Sequence, residues 1–160
     1  MPHQIRLRGP WNVRDGAELA SDHTPQRMTM PCRVSDVRRA FPRVGSLIFE
    51  RRFQSPTGLS PRSQVDLVLS GLSGAADALR LEPASITLNE TLLVQPKEHE
   101  PDSGRDANRF GCPVLPLLQP SNTLAVRFDV VDVEKLDAGT VADQTEANPE
   151  IFDVWLEITD

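Results

Sequence analysis

From residue 123 to 133 apolar and polar positions alternate, with Leu124, Val126, Phe128 and Val130 on one face and Ala125, Arg127, Asp129 and Val131 on the other. That period of two is the signature of a half-buried strand. The same pattern returns at residues 151–158, where Phe152, Val154, Leu156 and Ile158 share a face and Trp155 falls on the opposite one. Shorter runs at residues 4–8, 46–53 and 64–70 also read as strands, the last two central, each bounded by Gly, Pro or Ser turns. Residues 71–81 carry two glycines among their alanines and read as a bend followed by another strand. Residues 85–94 predict a hairpin turning at Asn89-Glu90, with Ile86 and Leu88 on one arm and Leu92 and Val94 on the other.

Between these runs the pattern breaks. Residues 15–42 are punctuated by Gly16, Pro25, Pro31 and Pro42 and predict a long surface excursion, with a short strand near 26–30 and a helical turn near 35–40. Residues 95–108 and 134–150 are polar and acidic. No amphipathic stretch of ten residues suits a helix. Short strands joined by such turns predict one all-β domain spanning residues 1–160, an antiparallel two-sheet sandwich with Leu67, Leu69, Leu124, Val126, Phe128, Val154 and Leu156 in its core.

Read in order, several segments resemble the non-catalytic sugar-binding domain of family 2 glycoside hydrolases, a galactose-binding-like jelly roll. They are Leu7-Arg8-Gly9-Pro10-Trp11, the run from Phe49 to Phe53 followed by Pro56, and residues 65–77, 86–93 and 117–124. The resemblance implies a jelly-roll sandwich acting as a binding or accessory module for carbohydrate. The alternative is a structural or protein-interaction subunit that keeps the fold without sugar binding, which the 5% aromatic content and absence of Tyr favour. The family's Asn-Gly turn is Asn89-Glu90 here. Its catalytic carboxylates lie in a barrel that these segments do not match, so the resemblance implies no enzyme activity.

Charge narrows the partners. The net −6 divides into +6 over residues 1–62 and −12 over residues 63–160, which predicts internal pairing, with Arg6, Arg8, Arg51 and Arg52 close to Asp153 or Glu157. An acidic balance with scattered Arg argues against nucleic acid. No apolar run approaches the ~18 residues of a membrane span, and the N-terminus lacks an apolar signal core, so cytoplasm is the expected compartment. Cys32 and Cys112, 80 positions apart, are expected as free thiols.

The densest polar cluster is Glu98, His99, Glu100, Asp102, Arg105, Asp106 and Arg109. Its carboxylates suit a structural Ca²⁺ and its arginines suit a sugar diol or a carboxylate, whereas a solvated loop is the plain alternative. No His or Cys spacing suits zinc, and no cofactor is expected. Trp155 is the second ligand candidate: if its side of the last strand is open, the indole offers a stacking surface, and if it is covered, ordinary packing.

Overall fold

The computed structural model describes residues 2–17, 24–71, 74–76, 79–94, 109–132 and 150–159. Among them are thirteen strands and one α-helix. The four-stranded sheet has the order β1 (His3–Arg6), β13 (Asp153–Thr159), β6 (Gln64–Ser70), β10 (Arg109–Pro113). The larger sheet runs β3 (Gln26–Met28), β2 (Trp11–Asp15), β5 (Ser46–Gln54), β11 (Ser121–Asp132), β8 (Leu79–Leu88), β7 (Gly74–Ala76), and β9 (Thr91–Val94) also pairs with β8. A two-stranded ribbon joins β4 (Cys32–Arg33) to β12 (Glu150–Ile151). The pairings are antiparallel, and the all-β sandwich is the architecture that the alternation predicts.

The core follows from parity. Leu67, Leu69, Leu124, Val126, Phe128, Val154 and Leu156 are all buried, as their spacing requires. At the centre Phe152 meets Trp11, Phe49 and Phe128, with ring centroids 4.9, 5.5 and 5.4 Å away, each edge to face. The Trp11 indole N–H is satisfied inside by the Leu7 carbonyl at 2.7 Å.

Two stretches differ from the pattern that the sequence predicts. Residues 11–15 form β2, which starts a new sheet directly after β1 because the Gly9-Pro10 turn carries the chain across the sandwich. Cys32–Arg33, inside the expected excursion, also form a strand, whereas the expected helical turn is α1 (Val34–Ala40), which buries Val34 and Val37. The expected hairpin at Asn89-Glu90 forms, with a two-residue loop joining Leu88 to Thr91; on its second arm Leu92 pairs with Thr87 on the outer side and is 50% exposed, while Leu93 packs inward.

That loop is of the type I′ kind, with Asn89 and Glu90 at φ 50° and 68°. Asn89 tolerates the left-handed region, but Glu90 occupies the place where glycine is preferred. Replacing Glu90 by Gly is expected to raise stability by about 0.5–1 kcal/mol, read as a higher urea midpoint at unchanged m.

Asn122, wholly buried, closes this end of the sandwich. Its Oδ1 accepts from the Gln119 N–H and from Asn89 Nδ2, both at 2.9 Å. Its Nδ2 donates to the Gln119 carbonyl at 2.7 Å and to Ser55 Oγ at 3.1 Å. All four hydrogen-bonding capacities of the amide are used. Asn122→Asp turns the donating nitrogen into an oxygen facing two acceptors and is expected to cost about 3 kcal/mol at pH 7. Burial would raise that carboxyl's folded pKa, so the deficit should shrink below the unfolded value of about 4 and grow as pH rises through the folded one. Chemical denaturation at pH 4 and pH 7 checks both the size and the sign.

Candidate functional site

In the four-stranded sheet alternate residues divide cleanly between core and exterior. The inward set includes Ile5, Leu156, Leu67 and Cys112, which lie across from one another. The outward set forms rows. Arg6, Trp155, Val68 and Gly111 are aligned across the four strands, and beside them lie Gln4, Glu157, Asp66 and Pro113. A third row holds Asp153, Ser70 and Arg109.

This outer face has an apolar centre and a polar rim. Val68 is 3% exposed although it points away from the core, and Trp155 beside it is partly buried. On the other side of Val68 stands Gly111, and a Cβ built there meets nothing within 4 Å. Trp155 and the Gly111 position thus lie on either side of the covered Val68 in one row of the sheet. The Trp155 Nε1–H donates to Glu157 Oε2 at 3.5 Å, and Gln4 Nε2 donates to the same oxygen at 3.3 Å. Arg6 Nη1 lies 3.2 Å from Asp153 Oδ2. Exposed on one side, that pair contributes about 0–1 kcal/mol and orients more than it stabilises. Asp153 Oδ1 is buried with no hydrogen-bond partner among the described residues.

Of the sequence candidates, Trp155 is placed on this face. Arg109 opens β10 in register with Ser70, its side chain outside the described residues. Glu98, His99, Glu100, Asp102, Arg105 and Asp106 lie outside the described residues altogether, and so does the Ca²⁺ expectation attached to them. Among the described residues no group of three or more His, Cys, Asp or Glu is placed to hold a metal ion. Sequence reasoning missed Arg6, Asp66, Val68 and Gly111 as neighbours of Trp155. Strand pairing decides that proximity, and alternation alone gives parity without partners.

The expected charge pairing splits. Arg6 does meet Asp153. Arg51 and Arg52 instead belong to the other sheet, because β5 pairs with β2 and β11. Adjacent on a strand, they point to opposite sides. Arg52 is exposed across from Thr123. Arg51 shares the parity of buried Phe49 and Phe53, and its Nη1 donates to the Pro10 carbonyl at 2.9 Å, a backbone partner where a carboxylate was expected. Desolvation holds its guanidinium below the usual arginine range, and Nε has no partner among the described residues.

The Asn89-Glu90-Thr91 sequon is closed to glycosylation in this fold. Asn89 Nδ2 donates to the Leu117 carbonyl and to Asn122 Oδ1, both at 2.9 Å, and a glycosidic bond would take one of those hydrogens.

No protein-family model and no curated protein matches the chain. Solved structures do. The β-glucuronidase of Bifidobacterium dentium, in complex with coumarin-3-O-glucuronide, is 18% identical with a TM-score of 0.61 over 99% of this chain and 30% of that one. A Bacteroides uniformis β-glucuronidase is 19% identical with a TM-score of 0.61, over 99% of this chain and 18% of that one. The β-D-mannosidase of Dictyoglomus thermophilum is 18% identical with a TM-score of 0.51, over 79% of this chain and 16% of that one. The resemblance to the sugar-binding sandwich of family 2 glycosidases thus holds at the level of the fold, and the chain spans less than a third of those enzymes' length.

Neither thiol is activated as a nucleophile. Burial, with a smaller contribution from the Asp36 carboxylate, pushes Cys32 from its ordinary 9.0 up to about 12. Burial and then Asp66 raise Cys112 as well. Both cysteines are free. A thiol whose folded pKa exceeds the unfolded value keeps its full stability below pH 9, and loses it as the unfolded chain releases the proton first. The chain has no Tyr and two Lys, so few other groups titrate there. Stability is expected to fall between pH 9 and about 12, by up to about 1.4 kcal/mol per unit from Cys32. Urea midpoints at pH 8, 9.5 and 10.5 check this, and Cys32→Ala should flatten the slope.

Proposed function

We propose that this chain is a non-catalytic binding or accessory module that takes a carbohydrate on the outer face of its four-stranded sheet. The observation that carries the reading is Trp155, the one aromatic ring on an outer strand face among the described residues, standing beside Val68 and the open Gly111 position. An indole offers a flat apolar surface for the face of a pyranose at small entropic cost. The rim residues Arg6, Asp153, Glu157 and Asp66 are hydrogen-bonding groups of the kind that hydroxyls need. Support from the comparisons lies in the kind of protein that shares the fold: the structural neighbours are glycosidases in which a region of this shape is a minor part of the chain.

The rival reading, an interaction subunit without sugar binding, draws on the same anatomy, since an apolar centre ringed by polar groups also characterises protein interfaces. The two separate on a glycan array followed by calorimetry. Binding of at least one glycan class is expected, weakened about tenfold or more by Trp155→Ala with the melting temperature little changed. An array without binding, or binding that Trp155→Ala leaves intact, removes the carbohydrate reading from this face and leaves the interaction subunit ahead.

A further inference from the structure

We draw no further inference here: the strongest candidate, the outer face of the larger sheet, where Arg14, Arg52 and Arg127 stand in the rows next to Glu50 and Leu92 is exposed on β9, is an unpartnered sheet face, and nothing in the structure shows what covers it.

Discussion

The sandwich depends on Phe152. Its neighbours in sequence serve different pairings: Ile151 pairs with Cys32 in the ribbon, and Asp153 pairs with Ser70 in the four-stranded sheet. The change of partner is made in one residue, at φ 67°, a left-handed conformation that costs a bulky side chain about 1–2 kcal/mol. Glycine would remove that cost and would lose the ring. The ring is wholly buried and touches Trp11 from β2, Phe49 from β5 and Phe128 from β11, all on the facing sheet. Burial of such a side chain stabilises by about 2–3 kcal/mol, and each edge-to-face pair adds about 0.5–1.5, so packing outweighs the strain. Its N–H closes on the Gly71 carbonyl at 2.9 Å, where Gly71, itself at φ 65°, ends β6.

At one end of the larger sheet, order is maintained by hydrogen bonds instead. The Asn122 amide joins the Gln119 turn to Ser55, and Asn89 bridges to it from the hairpin. Asn89 also accepts the Thr123 N–H at 2.9 Å and gives its own backbone N–H to the Thr123 carbonyl. The hairpin turn is thereby tied to the start of β11. This locks the registers of β8 and β5 against β11, whereas apolar contacts alone would permit slippage by two residues. A buried polar cluster of this kind specifies an arrangement because every member is satisfied.

Much of this was legible in the sequence, and the reason is parity. Wherever one face is buried, alternation names the inward residues, and so the core from Leu67 to Leu156 and the outward place of Trp155 could be read without partners. Parity fails where a strand is too short to show a period, as at Cys32–Arg33. Trp11 opens a strand directly after Gly9-Pro10, a turn signal that closes the alternating run at residues 4–8 and gives no sign that pairing resumes at once. The candidate face was only half visible: Trp155 could be picked out, but Arg6, Val68 and Gly111 reach it from three other strands, at sequence separations that no local pattern encodes.

The outer position of Trp155 is itself a consequence of Phe152. Because the left-handed residue sends its ring into the core and β13 begins at once, Val154 and Leu156 must point inward. Trp155 is thus forced outward, beside Val68 on one side and Arg6 on the other. A one-residue shift at Phe152 would bury the indole and expose two leucine-like side chains, which the core could not absorb at close packing. The residue that joins the two sheets therefore also fixes the face of the four-stranded sheet on which Trp155 stands.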